Sequence, residues 1–384
     1  MYRLYCKKRK EENAEHHISS KSTYKRIFHN DFNLGFFKPK KDTCWCQRPL
    51  VEMSDNKRSK LNNHRQEALA VRTYKDNLKE KVTNDNIAAA TFDLEQVLPL
   101  PKTTDGDLYY KRQLNNYNLS IYGYHDKKGC NYIWNESIAK RGSNDVATCV
   151  YKYLTELKNK GFESVHLLSD SCGGQNRNRP MVLALWWAAQ TLGFQEISHT
   201  FFVRGHSENE ADTIHSLVEK NSKHMRIFTT SQWAFVISTA KVEKPHLEVT
   251  EMVTANFRDF KAATKDIINM DIDTNKENVR YTEIRRYSVK KDDPSIYIHY
   301  SMNGEPVKMN LFEKGRRHGQ FEVPTVKGAY QKPLPINVDK RSDLIWMCDE
   351  GIIPAAHRDF YEGLMTTWRP DQPVSDYEDS EDDS

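Results

Sequence analysis

The 384-residue chain has no run of about 18 consecutive apolar residues, so no segment reads as a membrane-spanning helix. Its basic opening, Met1-Tyr-Arg-Leu-Tyr-Cys-Lys-Lys-Arg-Lys10, is followed by no apolar stretch, and a secretory signal is therefore not predicted. Cysteine is sparse and odd in number: seven residues, at 6, 44, 46, 130, 149, 172 and 348. That scatter argues against a disulfide framework and for free thiols or a metal site in a reducing compartment. Internal repeats are lacking as well, which excludes solenoids and propellers. What remains is a globular composition, 38% hydrophobic and 29% charged, in a chain long enough for two or three domains.

The net charge of +4 hides an asymmetry. Residues 1–80 carry 19 Lys and Arg against 10 Asp and Glu, whereas Asp371–Ser384 holds seven acids and no base. A basic head suits a polyanionic partner, because Lys and Arg neutralise phosphates and release counterions. The acidic tail reads as disordered.

Pattern divides the chain into four parts. Residues 1–84 form a basic, mostly helical region in which Leu61–Lys81, without Gly or Pro, predicts one exposed helix. Residues 85–240 alternate strands and helices. Strands are expected at Ile87–Val97, Leu119–Tyr124, Asn131–Ile138, Ser164–Ser169 and Glu196–Arg204. Helices are expected at Asn144–Lys158, at Pro180–Leu192 stopped by Gly193, and at Glu208–Asn221 with Ser207 and Glu210 as a capping box. The order β-β-β-α-β-α-β-α is that of the RNase H-like α/β fold, a mixed sheet flanked by helices. Residues 241–370 read as a small α+β appendage, with a helix at Thr254–Ile268, a strand at Ser295–Ser301 and a last helix near Ala355–Leu364. Residues 371–384 are the tail.

Three acids stand out on this frame. Asp93 lies within the first strand, flanked by Ala88–Phe92 and Leu94, where an unpaired buried charge is expensive. Asp170 ends the fourth strand and opens into Ser-Cys-Gly-Gly-Gln-Asn; ligands of α/β sheets gather at carboxyl ends of strands. Asp212 falls in the first turn of the last helix, with Glu208 as the rival for its place. Converging carboxylates repel one another unless divalent cations neutralise them, and hard oxygen ligands favour Mg²⁺ or Mn²⁺. Two such ions can activate a water or a 3′-hydroxyl and stabilise a leaving oxygen.

The motifs Phe92-Asp93-Leu94, Asp170-Ser-Cys-Gly-Gly-Gln-Asn-Arg-Asn178 and Gly205-His-Ser-Glu-Asn-Glu-Ala-Asp212 resemble those of an uncharacterised transposase-like family of multicopy animal genes. The likeness extends from about Thr23 to Tyr361 and takes in Phe32–Cys44, Trp134-Asn-Glu and Cys348-Asp-Glu-Gly-Ile-Ile-Pro354. It implies a transposase ancestry of the DDE/DDD type: DNA phosphodiester cleavage and strand transfer at two divalent metals held by Asp93, Asp170 and Asp212. A nuclear address would follow from a DNA substrate, with Lys7-Lys-Arg-Lys10 as a candidate import signal, and self-association is compatible with this class. The alternative is a domesticated, non-catalytic nucleic-acid- or chromatin-binding protein that keeps the fold and the basic head.

Secondary candidates surround the acids. Cys44-Trp-Cys46, with His64 as third ligand, could take Zn²⁺, although C-x-C closes on one ion less often than C-x-x-C. Arg177, Arg179, Lys314, Arg316 and Arg317 are candidates for following a DNA backbone. His206 and His215 are candidates for touching a metal or a scissile phosphate, and Trp186-Trp187 is read as core.

Overall fold

The structure, a computed structural model, describes residues 2–12, 18–30, 44, 46, 54–82, 86–104 and 106–367; the acidic tail falls outside these. Two compact units are distinguished, Met1–Gln47 and Arg48–Ser384. In the first, α1 (Tyr2–Glu11) and α2 (Lys21–Asn30) are joined by aromatics. The rings of Tyr2, Tyr5 and Tyr24 lie 5.1–6.0 Å apart, and the Tyr2 hydroxyl donates to the Ser19 carbonyl at 2.9 Å.

The second unit opens with α3 (Asp55–Lys81), whose 27 residues free of Gly and Pro span about 40 Å. Val71 and Leu78 are buried on one side of it, while Lys57, Arg58, Lys60, Arg65, Arg72 and Lys79 keep the rest basic. Ten strands then form one mixed sheet: β1 (Ile87–Leu94), β2 (Leu98–Leu100), β3 (Leu114–Gly123), β4 (Gly129–Asn135), β5 (Ser164–Ser169), β6 (Glu196–Phe201), β7 (Glu248–Glu251), β8 (Arg286–Lys290), β9 (Ser295–His299) and β10 (Val307–Asn310). Their order is β10-β9-β8-β6-β5-β1-β3-β4-β7, with β2 paired to β3. At the centre β5 runs parallel to both β1 and β6, whereas β3 and β4 form an antiparallel meander on the other side of β1.

Helices cover both faces, as alternation along the strands requires. Ala88, Ala90 and Phe92 point into a core filled by α4 (Ser143–Asn159) and α5 (Arg179–Leu192). Ala89, one residue out of phase, packs on the opposite face with Val71 and Leu78 of α3. Farther along that second face lie α6 (Glu210–Ser222) and α7 (Thr230–Thr239), with Ile214, Val218, Trp233 and Ile237 buried. Trp186 and Trp187 are buried as expected, their indole N–H groups donating to the carbonyls of Asp293 and Pro324.

Three expectations are corrected. The strands of residues 286–310 extend the central sheet antiparallel to β6, so this region enlarges the domain instead of hanging from it. The helix expected over Thr254–Ile268 is broken into 3₁₀ turns around a single short turn, α8 (Phe260–Ala263), because Phe257 is extended and both it and Phe260 are drawn into the core. A small hairpin, β11 (Glu313–Lys314) with β12 (Arg317–His318), stands apart from the sheet. Finally α9 (Val338–Asp349) and α10 (Arg358–Glu362) close the second face, the latter shorter than expected, after a 3₁₀ turn at Ala355–His357.

Candidate metal centre

Register brings the acids together. Phe92 of β1 pairs with Ser169 of the parallel β5, so Asp93 and Asp170 are the next residue on adjacent strands. Asp93 also continues the alternation of Ala89 and Thr91, which faces α3 and α6. Asp170 continues that of His166 and Leu168, on the same face.

Each acid is held differently. Asp170 Oδ1 accepts from the Cys172 N–H at 3.3 Å and from the Asn176 side-chain amide. The loop 171–178 folds on itself beyond it, Asn178 capping α5 through Met181 N–H at 2.9 Å and donating to Gly173 O at 2.8 Å. A Cβ at Gly173 or Gly174 would meet no protein atom within 4 Å, so packing within the chain does not demand glycine at either place. Asp93 Oδ1 accepts from the Leu94 N–H at 2.9 Å.

Asp212 arrives on α6, whose start is set by Asn209. Its side-chain oxygen accepts from Ala211 N–H and its amide donates to Phe92 O, both at 3.0 Å. One amide therefore caps the helix and ties its first turn to the strand residue preceding Asp93. The capping box expected from Ser207 and Glu210 does not form. Glu210 is instead taken by α3 and the end of the meander, accepting from Lys79 at 2.7 Å, Lys75 at 3.3 Å and the Tyr124 hydroxyl at 2.6 Å. Glu208, the rival third acid, is paired with Arg72 at 2.6 Å.

The outcome is a cluster in which ligand atoms of Asp93, Asp212 and His215 all lie within 4.8 Å of one another. Burial pushes the Asp93 carboxyl up to about 8, and the charges of Asp170 and then Asp212 push the same way. His215 follows Asp212 by three residues, hence on the same face of α6. Burial holds its imidazole down to about 4, and its Nε2 is buried with no hydrogen-bond partner. Such an orphaned group costs about 1–3 kcal/mol when nothing satisfies it. A crowded Asp93 carboxyl that resists ionisation, beside Asp212 and a neutral imidazole with an unused nitrogen, is a donor set that fits a divalent cation.

Two buried polar residues escaped the sequence reading. Asn209 carries no local mark beyond its cap-forming side chain, and its bond to Phe92 is long-range. Glu95 is buried, accepts from Asn118 at 2.8 Å, and is pushed up to about 7 by burial. Its neighbours Asn118, Ser120 and Asn131 form a buried polar chain across β3 and β4.

The remaining candidates are dispersed. Arg177 is half-buried, stacked on Phe201 at 4.9 Å and bonded to Thr282 O. Arg179 and Lys314 meet on Asp271, at 2.6 and 2.9 Å. Arg316 and Arg317 lie at the exposed hairpin formed by β11 and β12. Cys44 and Cys46 are buried in the first unit, the Cys46 N–H donating to Cys44 Sγ at 3.5 Å. In the second unit, the rings of His64 and His206 lie 5.1 Å apart. A groove beside them is lined by Arg65, Leu69, Arg72, Lys75, Phe202 and Glu208. Among the described residues of the second unit, the side chains able to hold a metal together are those of Asp93, Asp212 and His215.

Residues 116–293 match a family model described as a domain of unknown function (DUF7869). The match takes in Asp170, Asp212 and His215, begins after Asp93, and covers a little under half of the chain. Comparison with curated proteins and with solved structures gives no match.

Proposed function

We propose that the chain is a transposase-derived, RNase H-like protein that cleaves and joins DNA phosphodiesters with divalent ions held by Asp93, Asp170 and Asp212. The observation that carries this reading is the convergence on one sheet face of Asp93 and Asp170, from adjacent parallel strands, with Asp212 from α6. A mixed sheet with a β1–β3–β4 meander and parallel β1–β5–β6 at its centre supports the fold assignment.

When bound, two Mg²⁺ or Mn²⁺ ions would lower the pKa of an attacking water or 3′-hydroxyl and neutralise the leaving oxygen. The chain's own residues do the positioning. Asn176 fixes the Asp170 carboxylate, and Asn209 fixes the turn that presents Asp212. The basic flank of α3, with Arg65 and Arg72 in the groove beside it, is of the kind that follows a phosphate backbone, so DNA is the proposed partner and the nucleus the proposed address. In-line attack at phosphorus requires little beyond such positioning and charge neutralisation. The thiols of Cys44 and Cys46 are of the kind that take Zn²⁺.

The test is nicking of a supercoiled plasmid in Mn²⁺ by wild type, Asp93→Ala and Asp170→Ala. Nicking by wild type and not by either variant is expected. Folded wild type that binds DNA without nicking it would replace this reading with that of a non-catalytic nucleic-acid-binding protein.

A further inference from the structure

Among the three acids proposed as ligands, Asp93 and Asp212 share their immediate surroundings with a residue of another type. His215 stands one helical turn beyond Asp212, and its ligand nitrogen lies within 4.8 Å of carboxylate oxygens of both acids. The Nε2 atom is shielded from solvent and unpartnered. Asp212 itself is exposed, so the cluster is open on one side to an arriving ion. Two liabilities therefore coincide: carboxylates that repel each other and a buried ring nitrogen that nothing satisfies. A hydrogen bond could settle only the second, whereas one cation settles both.

We propose that His215 is a metal ligand, adding an imidazole nitrogen to the oxygens of Asp93 and Asp212, and that it tilts this position towards Mn²⁺ over Mg²⁺. The inference rests on the metal site proposed above and specifies its chemistry. Mg²⁺ is a hard ion that favours oxygen and keeps its water, while later divalent ions accept imidazole more readily. A site built from carboxylates alone would show no such bias. The turn of α6 that carries both ligands is fixed through Asn209, so the nitrogen is presented with its carboxylate partner as one unit.

The experiment is Mn²⁺ titration of the whole chain followed by pulsed electron paramagnetic resonance, on wild type and His215→Gln, with His215→Asp as the all-oxygen control. Wild type should show coupling of bound Mn²⁺ to a ¹⁴N nucleus. His215→Gln should lose that coupling and bind Mn²⁺ at least about tenfold more weakly, the scale seen when a metal ligand's environment is disrupted. His215→Asp should bind Mn²⁺ without the coupling and compete better for Mg²⁺. Circular dichroism and a melting curve establish that each variant is folded. Bound Mn²⁺ with no nitrogen coupling, or with coupling unchanged in His215→Gln, overturns the role of His215 and leaves the carboxylate site standing. Folded wild type that binds no Mn²⁺ overturns both.

Discussion

Replacing Asp93 by Asn should make the metal-free protein more stable in alkaline solution, an effect that reverses the usual cost of changing a buried residue. The Asp93 carboxyl rises from its ordinary 3.8 to about 8 in the fold. Between those values the folded state holds a proton that the unfolded chain has released, so stability is full below pH 4 and is lost as pH climbs through 8. At about 1.4 kcal/mol per unit, the loss from pH 5 to pH 9 approaches 4 kcal/mol, and partial exposure of the side chain takes this to about 2–4 kcal/mol. Asn imitates the protonated acid and does not titrate. Urea unfolding at pH 5, 7 and 9 in EDTA should show Asp93→Asn ahead of wild type by about 1–2 kcal/mol at pH 5 and increasingly more stable towards pH 9. Adding Mn²⁺ should cancel the advantage, because only wild type gains a ligand. The affinity of wild type for Mn²⁺ should also climb with pH, by up to about tenfold per unit until it levels near pH 8, as one proton leaves for each ion bound. Stabilities of the two proteins that run parallel from pH 5 to pH 9 would refute the reasoning.

Glu95→Gln offers a contrast: this acid is raised to about 7 by burial, so Gln should stabilise at pH 9 and far less at pH 5, with no response to Mn²⁺. Asn209→Ala should cost about 1–2 kcal/mol in urea unfolding through the lost cap, and should weaken Mn²⁺ binding because Asp212 loses its tether. An Asn209→Ala protein with wild-type Mn²⁺ affinity would show that the tether is dispensable. For Glu210, burial works upwards, but hydrogen bonds from Lys79 and Tyr124 and the charge of Lys75 bring its carboxyl below the ordinary glutamate value. Its stabilisation is therefore present at neutral pH and lost as pH falls through that lowered value. Wild type should exceed Glu210→Gln in melting temperature at pH 7, with the gap closing in acid.

How much of this was legible beforehand depended on whether the cause was local. β5 and α5 announce themselves through a short apolar run and through an apolar segment between Asn178 and Gly193, and both elements stand close to where the sequence puts them. The first half of β3 does not, because Asn115, Asn116 and Asn118 read as loop. Asn116 and Asn118 face a buried polar layer that only the finished sheet creates. The start of α6 was misplaced because Ser207 and Asn209 are both competent caps, and the choice is made by Phe92, more than a hundred residues upstream. Likewise β8 to β10 carry no mark of the strand they join, since pairing with β6 spans some ninety residues of chain. Asp93 and Asp170 stand out in the sequence because each sits in or at the end of an apolar strand, a local signal. His215 is a candidate from the sequence beside His206, and only the placed helix separates the two by setting His215 near Asp93 and Asp212.

The grip of Lys75 and Lys79 on Glu210 joins two events that would otherwise be independent. Glu210 opens α6 two residues before Asp212, and the lysines belong to the basic helix α3. A polyanion lying along α3 competes with Glu210 for Lys79 and so acts on the turn that presents Asp212. An ion bound to Asp212 acts back on the same turn. Under the proposed function, DNA and metal would be heterotropic ligands of one another, and by reciprocity each would change the affinity of the other by the same factor.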